Sequence, residues 1–310
     1  MRYCFGVDIG GTTVKMGLFH FDGTLIEKWE IETRKENHGE MILPDVADSI
    51  REKMENHNLD QEAVLGVGVG IPAPVTEAGV VQATANLGWG YKEVKHELET
   101  LVGIPVKVGN DANVAALGEM WKGGGFGHKN MIMVTLGTGV GGGIISNGHM
   151  VVGGHGAGGE IGHICVNYEE TEKCGCGNRG CLEQYASATG IVRLAKKRLA
   201  ENDDETVLRN EEVSAKTVFD AVKENDAVAI EIAKEFGKYL GYALANLAAA
   251  VDPEIVVIGG GVSKAGTILL DYITESFMER VFFANKECRF ELARLGNDAG
   301  IYGAAKLILE

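Results

Sequence analysis

The sequence predicts a protein of two related α/β domains, because one strand–turn–strand pattern occurs twice. Residues 3–25 contain, in this order, an apolar strand, a turn of glycine and threonine, a second strand and an Asp-Gly hairpin signal. The same order of features returns at residues 131–152, where the hairpin signal is Asn-Gly. An internal repeat of this kind indicates two domains of similar construction, and a length of 310 residues has room for both.

The individual elements follow from hydrophobic periodicity and from breaks at glycine and proline. The pattern predicts strands at Tyr3–Gly10, Val14–Phe21, Leu25–Thr33, Val64–Ile71, Val106–Val108, Met131–Leu136, Gly141–Ser146 and Glu254–Ile258. It predicts helices at Glu40–His57, Tyr91–Leu101, Ala112–Lys122, from about Asp226 to Val251, and at Ala299–Leu309. We expect the C-terminal helix to pack back on the first domain.

The charge and composition make some classes of partner unfavourable. The chain has 29 basic and 44 acidic residues, which gives a net charge of −15, and it has no basic arm. Nucleic acids and anionic membranes bind positive surfaces, so neither is expected as a partner. The N-terminal residues run directly into a strand pattern, and no apolar run approaches the ~18 residues of a membrane span. We therefore expect a cytoplasmic protein.

Three glycine-rich turns, each after an apolar strand, are candidate nucleotide contacts: Asp8–Lys15, Leu136–Gly143 and Ile258–Val262. The N–H groups of such turns bind phosphate, and a carboxylate such as that of Asp8 can hold Mg²⁺. The first two turns are similar and can clamp a triphosphate, whereas the third can carry a base or ribose. Each motif alone also fits an ordinary tight turn. The predicted nucleotide contacts are Asp8, Gly10, Gly11, Thr12, Thr13, Lys15, Gly137, Thr138, Gly139, Gly141, Gly259, Gly260 and Gly261.

A metal-ligand pattern of the form His-x10-Cys-x-Cys-x4-Cys is formed by His163, Cys174, Cys176 and Cys181. One imidazole and three thiolates suit tetrahedral Zn²⁺, and four protein ligands leave no open position, so the ion would be structural. The alternative, free or redox-active cysteines, is weaker for a cluster in a chain without an export signal. The isolated Cys4, Cys165 and Cys288 are expected to be buried core residues.

Polar side chains at five positions lie beside these motifs: Asn110, Asp111, Glu160, His163 and Glu183. Helix capping is the ordinary role for Asn110-Asp111, which stand where a predicted strand meets a helix. Surface charge is the ordinary interpretation of Glu160 and Glu183. If these groups converge, however, carboxylates, an amide and an imidazole match the hydroxyl groups of a sugar. His163 can place one ring nitrogen on the metal and the other on the sugar.

These motifs resemble those of the ROK family (repressors, open reading frames and sugar kinases) and occur in the family order over nearly the whole chain. Asp8–Thr12 is similar to the N-terminal phosphate motif, Gly109–Asn113 to the catalytic segment and Gly137–Gly143 to the second phosphate motif. The sugar and zinc signature, Gly159–His163 with Cys174–Glu183, is the most specific match. Within the family the chain is most similar to the bacterial glucose kinases.

The resemblance implies an α/β, actin-like (ribonuclease H-like) two-domain sugar kinase fold with the active site in the cleft between domains. We predict a small domain of residues 1–112 plus 297–310 and a large domain of residues 113–296 that contains the zinc loop. The implied reaction is ATP-dependent phosphorylation of the glucose 6-hydroxyl, with ATP, Mg²⁺ and structural Zn²⁺. Asp111 would be the catalytic base, and the sugar would be held by Asn110, Asp111, Glu160, His163, Glu183 and Asn86.

Several alternatives remain open at this stage. The sugar could be fructose, mannose, N-acetylmannosamine or N-acetylglucosamine, and the phosphoryl donor could be polyphosphate. A homo-oligomer, dimer or tetramer, is implied by the resemblance alone. The repressors of the family carry an additional N-terminal DNA-binding domain, which we do not expect here because the phosphate motif begins at Asp8 and the net charge is negative. The paired phosphate turns argue against a further alternative, a zinc-binding module without catalytic activity.

Overall fold

The computed structural model describes residues 2–84 and 86–310. The chain divides into two compact units, one formed by Met1–Gly127, Gly143–Gly159 and Arg294–Glu310, the other by His128–Gly142 and Glu160–Ala293. The first unit includes both stretches predicted for the small domain and extends beyond them into residues 113–127, 143–159 and 294–296.

The strands and helices are named in chain order. The strands are β1 Tyr3–Ile9, β2 Thr13–His20, β3 Leu25–Glu32, β4 Val64–Ile71, β5 Val106–Asn110, β6 Met131–Leu136, β7 Val140–Ser146, β8 His149–Met150, β9 Ile255–Gly259 and β10 Arg289–Leu292. The helices are α1 Glu36–Gly39, α2 Ile42–Asn56, α3 Val94–Val102, α4 Asp111–Lys122, α5 Glu183–Ala186, α6 Ala188–Glu201, α7 Ala215–Lys223, α8 Ala227–Val251, α9 Ile268–Arg280 and α10 Ala299–Leu309.

The first unit is built on a five-stranded sheet with the order β3-β2-β1-β4-β5. Strand β1 pairs antiparallel with β2 and parallel with β4, and β4 pairs parallel with β5. Nearly every residue of β4 is buried, as expected for an apolar strand covered on both faces. Strand β3 forms an edge, and its exposed charged residues alternate with less exposed ones, which protects the edge from pairing with other chains.

Helix α10 packs closely against β4 and α4 because glycine stands at the points of contact. A Cβ on Gly68 of β4 would lie 1.7 Å from the Ala304 carbonyl oxygen, and one on Gly118 of α4 would lie 2.3 Å from the Ala299 carbonyl oxygen. No side chain fits at such distances. The C-terminal helix thus packs on the first sheet, as expected from the sequence.

The second sheet has the order β10-β9-β6-β7-β8, which repeats the order of the first sheet read from the opposite edge. Strand β9 is parallel to β6 and β10, and β7 is antiparallel to β8. Asn147 and Gly148, which join β7 to β8, have φ of 53° and 84°, the positive values that favour Asn-Gly in hairpins. The predicted repeat of an α/β pattern is therefore confirmed.

One predicted helix begins later than its sequence pattern indicates. The pattern predicts a helix from Tyr91, whereas α3 begins at Val94. The Lys92 N–H donates to the Val81 carbonyl at 2.9 Å and its carbonyl accepts from the Val81 N–H at 3.0 Å, so a local strand pairing holds this segment extended. The other predicted bounds differ from the structure by at most two residues. Within the described residues, no helix is long and apolar enough to cross a membrane.

Candidate active site and metal centre

The first candidate turn joins β1 to β2 and is fixed by its own backbone and by Thr33. The Gly10 N–H donates to the Thr13 carbonyl at 3.0 Å, and the Thr33 hydroxyl donates to the Gly10 carbonyl at 2.8 Å. The Thr33 N–H also donates to the Thr12 carbonyl at 3.0 Å. Because the Gly10 N–H is already bonded within the turn, donors for a phosphate must come from the residues that follow it.

Asp8 lies at the end of β1, opposite Lys15 of β2. Burial raises the pKa of the Asp8 carboxyl, and the charge of Lys15 partly counteracts the rise. The Lys15 ammonium donates to the Asn297 carbonyl at 3.3 Å. A buried carboxylate gains from a nearby cation, and oxygen ligands of this kind are those that Mg²⁺ prefers. Asp8 therefore fits the magnesium role predicted for it.

Gly300, in the first turn of α10, sets the space available to Asp8. A Cβ on Gly300 would lie 2.5 Å from Oδ2 of Asp8. Any side chain at Gly300 would therefore displace the carboxylate. The two residues lie near opposite ends of the chain, so no local sequence signal marks this contact.

Asn110 and Asp111 stand at the junction of β5 and α4, and both are half-buried. Asn110 is the N-cap of α4: its Oδ1 accepts from the Asn113 N–H at 3.1 Å, and its Nδ2 donates to the Ala73 carbonyl at 3.2 Å. Asp111 is the first helical residue, and its Oδ1 accepts from the Ala112 N–H at 2.7 Å. The capping role considered from the sequence is real for Asn110, and it fixes the backbone from which Asp111 extends.

Three of the predicted sugar contacts, Asn86, Glu160 and His163, are exposed. Asn86 lies beside the first glycine turn, since a Cβ on Gly11 would be 3.5 Å from the Asn86 Cβ. Glu160 precedes a short 3₁₀ turn, Ile161–His163, and its carbonyl accepts from the His163 N–H at 3.2 Å. Glu160 and His163 are thus joined by one turn of backbone.

Glu183 connects the second glycine turn with the cysteine cluster. Its Oε2 accepts from the Val140 N–H at 3.1 Å, and its Oε1 lies 3.7 Å from the Cys174 Sγ. A Cβ on Gly139 would lie 2.1 Å from Oε2, so glycine at this position makes room for the carboxylate. The predicted phosphate turn and the predicted metal loop therefore share one side chain.

The third glycine motif follows β9 and borders a cavity. Gly260 has a φ of 84°, and a Cβ there would lie 2.5 Å from the Leu136 carbonyl oxygen, so only glycine fits. Gly261 lines a mainly apolar cavity of about 370 Å³, a volume within the usual range for small-molecule sites. Its other lining residues include Phe219, Val262, Ala265, Lys216, Lys223 and Lys264.

The four predicted metal ligands come together, with their ligand atoms all within 4.8 Å of one another. The His163 Nδ1 lies 4.0 Å from the Cys174 Sγ, and the Sγ atoms of Cys176 and Cys181 are 3.6 Å apart. With Zn–S bonds of about 2.3 Å, two thiolates on one tetrahedral ion lie about 3.8 Å apart, so the spacing fits zinc. Because Nδ1 faces the cluster, Nε2 remains to face another partner.

The surroundings of the three thiols also suit a cation. Burial raises the pKa of Cys181 to about 12 and raises that of Cys174, whereas the Asn178 N–H lowers that of Cys176. Buried thiolates are costly without a compensating positive charge, which a divalent metal would supply. The residues present therefore fit a zinc ion.

The remaining cysteines follow the sequence prediction only in part. Cys4 is buried, as predicted, and Cys288 is half-buried. Cys165 is exposed, so its prediction as a buried core residue is wrong. It pairs through the backbone with Cys181 at the edge of the metal loop, and this irregular loop leaves its side chain uncovered.

The chain matches the ROK family over residues 4–310, and it belongs to this family. It is 43% identical to a glucokinase of Halalkalibacterium halodurans, over 99% of this chain and 95% of that protein. It is 37% identical to a glucokinase of Thermotoga maritima, over 98% of this chain and 96% of that protein. A ROK family glucokinase of Streptomyces griseus, solved with glucose and AMPPNP, is 34% identical with a TM-score of 0.76, covering 98% of both chains.

Similarity of this extent, over the full length of the relatives, defines the class of protein. The chain has the actin-like fold of the ROK sugar kinases and is an ATP-dependent phosphotransferase of the hexokinase type. The predicted family, fold class and enzyme class are thereby confirmed.

Replacing Gly300 by alanine is expected to lower kcat/KM about tenfold or more, because the added methyl group displaces the Asp8 carboxylate. Alanine favours a helix more than glycine does, so α10 itself should persist. Steady-state kinetics over a Mg²⁺ titration should show that the Mg²⁺ concentration for half-maximal activity rises. Gly90→Ala is the control, since no atom lies within 4 Å of a Cβ at that position. An unchanged Mg²⁺ dependence in Gly300→Ala would contradict the role of Asp8.

Proposed function

We propose that the protein transfers the γ-phosphoryl group of ATP to the 6-hydroxyl of glucose, with Asp111 as the general base. The observation that carries this proposal is the junction of β5 and α4. There the cap and the bond to Ala73 hold Asn110, and Asp111 follows as a half-buried first residue of the helix. Glucose is supported by the full-length relatives named above, which are glucokinases.

In the proposed reaction, the Asp111 carboxylate accepts the proton of the 6-hydroxyl while that oxygen attacks the γ-phosphorus. The hydrogen bond from the Ala112 N–H stabilises the ionised carboxylate, which is the form that a base needs. Phosphoryl transfer depends mainly on positioning and on charge neutralisation, and the base contributes about 10²–10⁴-fold.

The sugar hydroxyls would be held by Asn110, Glu160, His163 and Glu183, with Asn86 as a further contact. Glu183 is fixed by the Val140 N–H, so its carboxylate needs little ordering when the sugar binds. His163 would use Nε2 for the sugar, because its Nδ1 faces the cysteines. The same residue would thus respond to both the metal loop and the substrate.

The nucleotide would bind through the three glycine motifs. Its phosphates would lie on the turns Gly10–Thr13 and Gly137–Gly143, with Asp8 holding Mg²⁺. Its base would enter the cavity beside Gly261, where Phe219 and Val262 offer apolar surface. Val140 is an unsuitable phosphate donor, since its N–H already serves Glu183.

The zinc ion would be held by His163, Cys174, Cys176 and Cys181, and it would supply rigidity rather than chemistry. Four protein ligands fill the coordination shell, so no position is left for a reacting oxygen. These four ligand residues would keep the loop folded. Cys174 contacts both the His163 ring and the Glu183 carboxylate, so the loop would also fix the orientation of these two side chains. The proton is moved by Asp111 alone.

The proposal is tested by ADP release across a panel of sugars. We expect the kcat/KM for glucose to exceed those for fructose, mannose, N-acetylmannosamine and N-acetylglucosamine by about tenfold or more, the discrimination that one pocket gives readily. NMR of the product should show glucose 6-phosphate, and polyphosphate should be a poorer donor than ATP. A higher kcat/KM for another sugar would show that this other sugar is the preferred substrate, while the assignment of the protein as a kinase would stand. Sugar binding without any ADP release would favour a sensor related to the repressors.

A further inference from the structure

Asn113 contacts two segments that the proposed reaction needs. It lies in the first turn of α4 and is 3% exposed. Its backbone N–H donates to the Asn110 Oδ1 at 3.1 Å, and its Nδ2 donates to the Gly158 carbonyl at 2.8 Å. Asn110 precedes Asp111 directly, and Gly158 precedes Glu160 by two residues.

The segment that includes Gly158 has few side chains that could fix it and is held by backbone hydrogen bonds, such as that from the Gly158 N–H to the Val152 carbonyl at 2.8 Å. Five of the residues at positions 153–159 are glycine, and glycine loses the most conformational freedom when it is ordered. A Cβ on Gly156 would lie 2.4 Å from the Val75 carbonyl oxygen, and one on Gly158 would lie 2.2 Å from the Val151 carbonyl oxygen. The segment therefore lies against neighbouring backbone, where side-chain packing is impossible and hydrogen bonds must fix its position.

The oxygen of the Asn113 amide has no hydrogen-bond partner among the described protein atoms. The Gly158 carbonyl can only accept, so the atom that faces it must be Nδ2 and the opposite atom must be Oδ1. Oδ1 is buried. Asn113 also lines a cavity of about 20 Å³, whose other lining residues include Asn110, Thr76 and Glu77. This volume accommodates one water molecule, and the lining offers the polar partners that a buried water needs.

We propose that Asn113 is a positioning residue, which fixes the glycine segment before Glu160 relative to the start of α4 and binds one water molecule at its Oδ1. It acts through Gly158 and Asn110 and does not itself contact the substrate. The inference rests on the function proposed for Asp111 and Glu160. If this is so, the side chain of Asn113 determines the affinity for the sugar. Its backbone N–H, which every substitution retains, continues to donate to the Asn110 side chain that caps α4.

The test compares Asn113→Ala and Asn113→Asp with a buried asparagine in the second unit. Each change removes the donor to Gly158, so the KM for glucose should rise about tenfold or more while the KM for ATP stays within about twofold. Asn285→Ala is the control: Asn285 is 7% exposed, and its Nδ2 donates to the Asp252 Oδ1 at 2.6 Å. It should lower the melting temperature similarly and leave both KM values unchanged.

The outcomes separate this inference from the proposed function. An unchanged KM for glucose in the folded variants overturns the positioning role. If the alanine variant does not fold, Asn113→Asp, which keeps the side-chain shape, provides the same measurement. A wild-type protein that fails to phosphorylate glucose overturns the proposed function instead. A high-resolution crystal structure should show a water within hydrogen-bond distance of the Asn113 Oδ1, and a cavity without one overturns the water site.

Discussion

Replacement of Asp111 by asparagine is expected to lower kcat by about 10²–10⁴-fold, the usual contribution of a general base. Asparagine keeps the size of the side chain, and its Oδ1 can still accept from the Ala112 N–H. What it loses is the ability to take the proton of the sugar hydroxyl. The KM for glucose should therefore change only a few-fold. Steady-state kinetics with an ADP-release assay, together with sugar binding by calorimetry, measure the two quantities separately.

The matched control for Asp111→Asn is Asp48→Asn, which neutralises an exposed aspartate in an ion pair with Arg51 on helix α2. Exposed pairs of this kind contribute little, so its kcat should equal that of the wild type. Asp111→Ala should lose as much turnover as Asp111→Asn. A kcat close to the wild-type value in either Asp111 variant, with the protein folded, would remove Asp111 from the role of base.

The sequence predicts those features that depend on neighbouring residues. The Asn-Gly hairpin, the apolar run of β4 and the cap at Asn110 are each encoded within a few residues, and the structure places them as expected. The metal cluster is also local, because three of its ligands lie within eight residues of one another. Short-range patterns such as these need no knowledge of the tertiary fold.

Contacts between distant parts of the chain could not be predicted in this way. Glu119 would be assigned to a helix surface from its sequence, yet it is fully buried. Its carboxylate accepts from the N–H groups of Gly124 at 2.7 Å, Arg294 at 3.0 Å and Leu295 at 2.8 Å. Backbone donors thus compensate the cost of burying this polar group. Only the fold brings residue 294 to residue 119, as it brings Gly300 to Asp8.

The link between the metal loop and the phosphate turn has the same non-local origin. From the sequence, Glu183 is a carboxylate beside the last cysteine, with sugar binding or surface charge as its possible roles. The structure adds a bond to the Val140 N–H and a contact with the Cys174 Sγ. A change in the metal loop should therefore affect the second glycine turn as well as His163.

Substitution of Cys181 by serine is expected to remove the metal and to destabilise the fold. Cys181 is 1% exposed within the ligand cluster, and a hydroxyl does not replace a thiolate on zinc. The zinc content measured by metal analysis should fall from about one ion per chain to nearly none. If the loop contributes about 3 kcal/mol through the ion, the melting temperature should fall by about 6–12 °C. Sugar affinity should decline before turnover does, because the loop holds His163, Glu183 and the segment after Glu160.

Cys165→Ser provides the control, because Cys165 is exposed and lies in the same loop outside the cluster. It should keep its zinc, its melting temperature and its KM for glucose.

The pH dependence of zinc binding gives a further check. Burial raises the pKa of Cys181 to about 12, so zinc binding must release a proton and the affinity for zinc must fall as the pH falls. A chelator should therefore strip the wild-type protein faster at pH of about 6 than at about 8. A wild-type protein that loses its zinc yet keeps its stability and its affinity for glucose would contradict the structural role, and Asn110 and Asp111 would then have to form the sugar site without a braced His163.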